Sequence, residues 1–315
     1  LLINIQNQSK IEQVFKAFKI DIVYHAAAYK HVPLVEENIC ESIKNNVFGT
    51  FILAEAALKY NISNFVLISS DKAVRSTNVM GATKRLAEIC IQSLYNNQNK
   101  QSKFAIVRFG NVLQSSGSVI PKFKKQIKEG GPITLTHPDV TRYFMTITEA
   151  SQLVIQAGAM AEKCEVFVLD MGESVKIKDL INKMVKLSGL SIKDNKNLDG
   201  DIEIKITGLR PGEKLYEELL IGDNPQKTFH EKIQKAQDPF IPFNKLKIDL
   251  DNLSNLIEEN NAEEVKNILS KLVPSYQSNS KIVDHFYEQQ SNVKKDFKLP
   301  KIISNKENKV LKISN

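Results

Sequence analysis

The chain has 315 residues, of which 42% are hydrophobic and 25% are charged, as in a globular protein and not a disordered or fibrous one. The net charge is +7, of which residues 294–315 contribute +5. The other 293 residues carry only +2, and this near balance argues against a nucleic-acid partner. No run reaches the ~18 apolar residues of a membrane helix, and no secretory signal is present. The three cysteines lack metal-ligand spacing. We therefore expect a cytoplasmic protein without a resident metal.

Short β-branched runs alternate with helical patterns over the first 190 residues. Four buried parallel strands are predicted at 21–26, 64–69, 103–109 and 165–170. Five helices are predicted at 41–60, 80–96, 119–129, 148–161 and 175–189. This alternation predicts an α/β fold, a Rossmann-like doubly wound parallel sheet that binds its ligands at the carboxyl ends of the strands.

The pattern loosens after residue 190. Pro211 lies where residues 207–219 predict a compact turn that opens a helix, and 250–272 predict one amphipathic helix. From residue 277 onward we expect disorder. The domain prediction has a core at 1–245, with a Rossmann part at about 1–120 and 145–175 and a smaller substrate-binding region. A helical extension at 246–276 and a basic tail at 277–315 follow.

The chain has no G-x-x-G-x-x-G turn, which normally lets the backbone of a dinucleotide fold approach a pyrophosphate. It begins with "LLINIQNQSKIEQVF", which is typical of the third strand and following helix of such a unit. We therefore expect that the first strands of the sheet are lacking. We also expect these 315 residues alone to bind a dinucleotide poorly.

Polar residues follow three consecutive predicted strands: "HAAAYKHVP" the first, "SSDK" the second and "GNVLQSSGS" the third. Because parallel strands end at one edge of a sheet, this placement favours a ligand site there. The structural alternative is that small residues such as the alanines only permit tight turn packing.

Met80 and Lys84 have the spacing of a Tyr-x-x-x-Lys pair, but methionine has no acidic proton. Either the protein is inactive, or its proton chemistry lies upstream at Ser70, Asp71 and Lys72. A carboxyl and an amine in adjacent positions can reach one substrate where a strand ends and the chain turns. The structural alternative is an ordinary Asp–Lys surface ion pair.

Six blocks occur in order: "HAAAYKHVPLVE", "NNVFGT", "SSDKAVRSTNVMGATKR", "RFGNVLQSSGSVIPKF", "TRYFMTITEA" and "GLRPGEKLYEEL". Over about residues 1–275 the chain thereby resembles the CapD-like polysaccharide biosynthesis proteins, nucleotide-sugar 4,6-dehydratases of the extended short-chain dehydrogenase/reductase superfamily. Longer, membrane-associated members of that family also carry methionine at the tyrosine position.

The resemblance implies NAD-dependent dehydration of a UDP-N-acetylhexosamine, first of all UDP-N-acetylglucosamine, to a 4-keto-6-deoxy sugar without inversion at C5. It also implies a homo-oligomer that meets the membrane only through a region N-terminal to this chain, on the cytoplasmic face. Two alternatives stay open: a UDP-sugar C4 epimerase, and a truncated, non-catalytic module that binds nucleotide sugars.

The reaction requires a base for the C5 proton and an acid for the C6 hydroxyl. We assign Lys72 as the base, with a pKa lowered by Lys84 and the nicotinamide, and Asp71 as the acid, kept protonated by burial. Ser70 relays the C4 proton. Met80 packs against the sugar or the nicotinamide ring, or is an ordinary core methionine.

The remaining site predictions concern the two ligands. The cofactor is expected to contact Asn4, Ile5, Ala26, Ala27, Asn46 and Lys84, the last through the nicotinamide ribose. The substrate is expected to contact Lys30, His31, Asn111, Ser118, Arg142 and Arg210, with Glu213 orienting Arg210 or capping a helix. A surface salt bridge is the alternative for either arginine, and a structural role is the alternative for His31 and Asn46.

Overall fold

The structure, a computed structural model, describes residues 1–97, 102–219, 225–278 and 281–289. Its strands, numbered along the chain, are β1 Ile22–His25, β2 Asn64–Ile68, β3 Lys103–Arg108, β4 Asn111–Val112, β5 Ile133–Leu135, β6 Thr141–Arg142, β7 Phe144–Met145, β8 Cys164–Leu169, β9 Val175–Lys176, β10 Ile192–Lys193, β11 Ile202–Ile206, β12 Gln226–Lys227 and β13 Ile233–Ala236.

The helices are α1 Gln8–Ala17, α2 Val32–Glu36, α3 Ile39–Ile43, α4 Thr50–Lys59, α5 Val79–Asn96, α6 Val119–Lys128, α7 Ile147–Met160, α8 Ile177–Leu187, α9 Phe243–Glu258 and α10 Ala262–Leu272. A π-helical stretch, Lys44–Gly49, joins α3 to α4, so the helix predicted at 41–60 is locally widened. A 3₁₀ turn, Asp71–Ala73, follows β2.

The central sheet has the order β1-β2-β3-β8-β13-β12. The pairs β1–β2, β2–β3 and β3–β8 are parallel, which confirms the Rossmann-like parallel sheet, while β13 and β12 add an antiparallel edge. Successive residues of a strand face opposite sides of a sheet, so both sides of β2 and β3 must be covered. Phe65, Leu67, Phe104 and Ile106 pack towards α1, α4 and α5, whereas Val66, Ala105 and Val107 pack towards α7.

A smaller region lies beyond the central sheet. Its three-stranded sheet has the order β10-β11-β5, and α6 and α8 cover it through Phe123, Ile127, Ile181 and Val185. Two short strand pairs, β4–β7 and β6–β9, come from the segments of the chain that connect this region to the central sheet. Two groups of elements with separate hydrophobic clusters leave a cleft in which a ligand can lie.

Four predictions of local structure are wrong. Residues 1–7 form a turn and no strand, and 208–219 form an irregular loop without the predicted helix. The helix predicted at 250–272 is two helices, because Asn260 has a φ of +52° and Asn261 begins α10. Residues 281–289 are ordered: Asp284 accepts the amide N–H of Ile39 at 2.9 Å. The rest of the tail predicted at 277–315, residues 290–315, lies outside the described residues.

Helices α9 and α10 pack on α3 and α5 through Leu246, Leu253, Val265 and Leu269. This extension therefore shares one core with the N-terminal helices. Over the ranges that the structure describes, none of the helices combines the length and the apolar character needed to cross a membrane.

Candidate active site

A cavity of about 440 Å³ lies where the carboxyl ends of the strands face the smaller region. All seven residues predicted to bind the substrate line it, together with Lys72: they are Lys30, His31, Asn111, Ser118, Arg142, Arg210 and Glu213. The sequence-based grouping of strand-end residues is therefore reproduced in space. The six residues predicted to bind the cofactor are not among those that line this cavity.

The 3₁₀ turn after β2 brings Asp71 and Lys72 together. The Ser70 hydroxyl accepts the Lys72 amide N–H at 3.2 Å and donates to Asp71 Oδ1 at 2.8 Å. Lys72 Nζ is 3.0 Å from the same Asp71 oxygen. The side chains of Asp71 and Lys72 are 0% and 18% exposed, so the surface ion pair considered above is wrong. The Asp71–Lys72 pair is buried, and Lys72 lines the cavity.

Helix α5 holds this turn in place. A Cβ at Gly81 would lie only 2.0 Å from the Lys72 carbonyl oxygen, so glycine is required for the helix to approach so closely. Ser76 Oγ also donates to this carbonyl at 2.7 Å. The glycine of "MGATK" therefore positions the Asp71–Lys72 turn.

Glu217 and Arg142 complete the charged group around Lys72. Glu217 Oε1 is 3.6 Å from Lys72 Nζ and 3.8 Å from Arg142 Nε. The Glu217 side chain is 3% exposed. Sequence analysis missed Glu217, although it lies in the "GLRPGEKLYEEL" block that supplied Arg210 and Glu213, because the irregular loop has no periodicity to show which of its carboxylates points inward.

The expected lowering of the Lys72 pKa is wrong for the ligand-free protein. Burial alone would lower the pKa of Lys72, but the Asp71 and Glu217 carboxylates outweigh burial and raise it. Lys84 behaves differently, since burial lowers its pKa to about 8. Lys84 Nζ donates to the Ile68 carbonyl at 2.6 Å, at the end of β2. Lys72 is therefore an ammonium in the resting site.

Met80 is a core residue. It is 3% exposed and packs in the cluster that contains Ile43, Leu86 and Leu246. Among the described residues, those that line the cavity do not include Met80. Met80 is therefore an ordinary core methionine, and it does not pack against a sugar in the cavity.

The predicted cofactor residues fit the nicotinamide half of NAD better than the adenine half. Ala26 and Ala27 are small and exposed after β1, as required where a ribose approaches the backbone. Asn46 fixes the following loop: its amide bonds both backbone groups of Tyr29, at 2.7 and 2.9 Å, and Thr83 Oγ1 at 3.0 Å. Lys84 follows Thr83 on α5.

The adenine-side residues, by contrast, make local structural contacts. Asn4 accepts the Gln6 amide N–H at 2.9 Å, and Ile5 packs against Gly49. Within the described ranges, no glycine-rich turn cradles a pyrophosphate. Asn4 and Ile5 therefore have local structural roles, and their contact with the adenine stays a prediction.

The end of the cavity at α6 is suited to an anion. Ser118 begins the helix, and its buried Oγ has no hydrogen-bond partner among the described residues. Lys122, on the first turn of α6, also lines the cavity. Burial lowers the pKa of Lys122, and the nearby positive charge of Arg210 lowers it further. Sequence analysis missed Lys122; its position four residues after Ser118 was the available signal. Two cations and a helix N-terminus converge here.

His31 and Asn111 also lie at this end of the cavity. Gly117 has a φ of +68°, and a Cβ there would lie 2.2 Å from the His31 ring, so glycine makes room for His31. Asn111 Nδ2 donates to the Tyr143 carbonyl at 3.3 Å. The histidine ring therefore borders the loop that begins α6.

Arg142 and Arg210 differ in how far their side chains are engaged. Arg142 donates to the carbonyls of Thr141 and Lys214 at 2.6 and 2.9 Å, so it braces the loop that carries Glu217. Arg210 is exposed and pairs only loosely with Glu213, at 3.3 Å. Of the two, Arg210 is the better placed to reach a diphosphate.

Known proteins are similar in sequence to this chain over most of its length. Residues 1–238 match the family described as polysaccharide biosynthesis protein. CapD of Staphylococcus aureus, a capsular polysaccharide biosynthesis protein, is 53% identical over 79% of this chain and 40% of CapD. UDP-N-acetylglucosamine 4,6-dehydratase (inverting) of Campylobacter jejuni is 32% identical over 74% and 65%. UDP-glucose 4-epimerase of Rickettsia canadensis is 33% identical over 71% and 62%. The chain thus spans less than two thirds of each relative.

Solved structures agree on the fold. Pen from Bacillus thuringiensis has a TM-score of 0.63 and 39% identity, over 70% of this chain and 66% of Pen. UDP-glucose 4-epimerase of Thermus thermophilus, solved with NAD, has a TM-score of 0.59 and 18% identity, over 69% and 74%. The family expected from the six sequence blocks is thereby confirmed. The chain belongs to the polysaccharide biosynthesis protein family, as a CapD-like member of the extended short-chain dehydrogenase/reductase superfamily.

Proposed function

We propose that this chain forms the reacting site of an NAD-dependent nucleotide-sugar 4,6-dehydratase that acts on UDP-N-acetylglucosamine. The buried Asp71–Lys72 pair at the cavity carries the proposal, because an acid and a base side by side are what removal of water from a sugar requires. A C4 epimerase only moves the C4 hydroxyl proton out and back, so it would not require a base for C5 and an acid for C6 in the same site.

Each residue has a defined part in the proposed reaction. NAD would supply the hydride chemistry when bound, and the residues of this chain would orient it and move the protons. Lys84 would lie at the nicotinamide ribose, and Asn46 keeps the loop after β1 in position. Lys72 removes the C5 proton once it is neutral, and Asp71 protonates the departing C6 hydroxyl. Ser70, which donates to Asp71 at 2.8 Å, connects the C4 hydroxyl to this pair.

The diphosphate of the substrate would lie at the amino end of α6. Lys122 and Arg210 supply positive charge, and Ser118 offers a buried hydroxyl and the free amides of a helix start. The sugar would then extend from this end towards Lys72, which lines the same cavity. His31 and Asn111 border the path between the two.

Product analysis tests the proposal directly. The intact protein is incubated with NAD⁺ and UDP-N-acetylglucosamine in deuterated water, and the product is examined by mass spectrometry and NMR. Loss of one water, a C4 ketone and deuterium at C5 are expected, and the configuration at C5 is read from the same sample. A C4 epimer that keeps all its oxygens would replace this proposal with the epimerase function.

A further inference from the structure

Glu217 is the least explained member of the charged group around Lys72. Its Oε1 faces Lys72 Nζ at 3.6 Å and Arg142 Nε at 3.8 Å. Its Oε2 is buried and accepts no hydrogen bond from any residue that the structure describes. Glu217 also lines the cavity. A buried carboxylate oxygen without a partner is costly, so it calls for a functional account.

The proposed reaction, on which this inference rests, needs an acid and a base at the same moment. Oxidation at C4 first releases the C4 hydroxyl proton into the site. If Asp71 takes that proton, Asp71 becomes the acid required at C6. Lys72 is then still an ammonium, which has no lone pair with which to remove the C5 proton. Asp71 and Lys72 alone therefore provide an acid without a base.

We propose that Glu217 is the proton acceptor that converts Lys72 into the base. A Lys72 N–H bond breaks and a Glu217 O–H bond forms, which leaves a neutral amine and a neutral carboxylic acid. Lys72 then takes the C5 proton, while Asp71 gives its proton to the C6 hydroxyl, which leaves as water. After hydride returns to C6, Lys72 protonates C5 and regains its proton from Glu217, so the three groups return to their starting state.

The charges that face Glu217 are consistent with this role. Burial raises the pKa of Glu217 and Asp71 raises it further, whereas Lys72, Arg142 and Lys214 lower it, and the net direction is upward. A buried carboxylate of this kind accepts a proton more readily than an exposed one. Protonation of Asp71 removes one of the two negative charges that raise the pKa of Lys72. Lys72 then loses its proton more easily, and Glu217 is the remaining carboxylate that can accept it.

Glu217→Gln tests the transfer, because the amide keeps the shape of the side chain but cannot take the proton. In the intact protein with NAD⁺ and UDP-N-acetylglucosamine, C4 oxidation should persist, as followed by the absorbance of the reduced cofactor. Exchange of C5 hydrogen with deuterated water should fall by about 10²-fold at neutral pH. It should recover as the pH rises, because Lys72 can then lose its proton to solvent.

Glu218→Gln is the matched control. Glu218 is the neighbouring carboxylate, but it pairs with Lys214 at 3.3 Å and with Arg75, and it is partly exposed. C5 exchange and its pH profile should be unchanged in this variant. If Glu217→Gln exchanges C5 normally, or loses C4 oxidation and C5 exchange equally at every pH, Glu217 is not the proton acceptor.

A measurement on the ligand-free protein separates this inference from the proposed function. The rate at which an amine-reactive reagent modifies Lys72 is followed against pH by mass spectrometry. Removing the Glu217 charge should lower the apparent pKa of Lys72, since an anion that stabilises the ammonium is lost. Equal apparent pKa values would show that Glu217 does not act on Lys72. If the unsubstituted protein shows no C5 exchange, the dehydratase function fails and this role fails with it.

Discussion

Two buried clusters in this protein have the same charge composition but different geometry. Each contains two cations and two carboxylates. They are Arg85, Arg108, Glu88 and Asp238, which we name the arginine cluster, and Asp71, Lys72, Arg142 and Glu217, which we name the cavity cluster. Their comparison separates charges that hold the fold together from charges that are free to exchange protons.

In the arginine cluster both oxygens of Glu88 accept hydrogen bonds, and Arg108 Nη1 is the one buried side-chain atom of the cluster that lacks a partner within the described part of the chain. Glu88 accepts hydrogen bonds from Arg108 Nε at 2.8 Å, Arg85 Nη1 at 2.9 Å and Ser69 Oγ at 2.6 Å. Arg108 also contacts Asp238, which ties the segment after β13 to β3 and α5. Burial would raise the pKa of Glu88, but these partners lower it to about 2. The proton equilibria here are fixed by dense hydrogen bonding.

The cavity cluster is looser. Lys72 is 3.6 Å from Glu217, and Arg142 is 3.8 Å from it, which are ion-pair distances and not hydrogen bonds. Asp71 Oδ2 and Glu217 Oε2 both lack partners within the described part of the chain. A buried cluster with unused acceptors costs stability, which supports the proposed role of this cluster in proton transfer.

The largest expected effect is on the cavity cluster. Lys72→Met removes the proposed base, so C5 exchange should fall by about 10³-fold, within the range that a positioned base contributes. C4 oxidation should persist, so that the reduced cofactor accumulates when substrate is added. Absorbance and C5 deuteration report the two steps separately.

Lys176→Met provides the comparison for this variant, since Lys176 forms an exposed pair with Asp139 at 3.5 Å and is not among the residues that line the cavity. Its C5 exchange should match the unsubstituted protein. Normal turnover in Lys72→Met would make the Asp71–Lys72 pair a structural feature, and the two clusters would then not differ in kind.

The next effect is on the arginine cluster. Glu88→Gln leaves the Arg108 guanidinium, which is 0% exposed, without its main counter-charge, so the free energy of unfolding should fall by about 3–5 kcal/mol. Because folding lowers the pKa of Glu88 from 4.5 to about 2, its contribution is present above about pH 4.5 and is lost as the pH falls through 2. Urea unfolding at several pH values measures both.

Glu258→Gln is the control for this prediction. Glu258 forms an exposed pair with Lys44 at 3.0 Å, and its loss should change the free energy of unfolding by no more than about 0.5 kcal/mol. If Glu88→Gln is equally mild, the arginine cluster does not brace the fold.

Periodic features of the chain could be predicted from the sequence. The four parallel strands and helices such as α5 and α7 have buried residues at regular spacing, and their positions agree within one or two residues. The strand-end residues of the cavity follow from this, because parallel strands end at one edge. To predict that Asp71 and Lys72 lie together at this edge, it was enough to know where β2 ends.

Features that depend on contacts distant in sequence could not be predicted. The loop that carries Glu217 is held by hydrogen bonds from Thr77 and Asn78 to the Gly212 carbonyl, both at 2.9 Å, and no local pattern encodes them. The pKa of Lys72 is raised first by Asp71, its neighbour in the chain, and then by Glu217, whose contribution is likewise distant in sequence. The sequence left open whether Met80 faces the sugar or the core. The Met80–Lys84 spacing does not show which side of α5 is covered by the helical extension, α9 and α10.

A smaller kinetic effect is expected for the second member of the reacting pair. Asp71→Asn keeps the size of the side chain but removes its acid, so formation of the 4-keto-6-deoxy product should slow by about 10²-fold. C5 exchange should decline by a similar factor, because Asp71 also takes the C4 hydroxyl proton before Lys72 acts at C5. Product formation and C5 deuteration are compared in one sample. Retained C5 exchange would mean that another group accepts the C4 proton and that Asp71 acts only at C6.

The smallest expected effect is at Met80, where restoring the tyrosine of the Tyr-x-x-x-Lys pair tests whether the cavity cluster has replaced it. Met80 is 3% exposed and packs on residues of α3 and α9, so Met80→Tyr overfills the core and should cost about 1–3 kcal/mol of stability. Dehydration should not accelerate, because the new hydroxyl would lie in the core and the proposed proton route runs through Ser70, Asp71 and Lys72. Met80→Leu, which conserves volume, should cost less than about 1.5 kcal/mol and leave the rate unchanged. A strong gain of activity in Met80→Tyr would show that position 80 still reaches the reacting sugar, and that the proton route through the cavity cluster is incomplete.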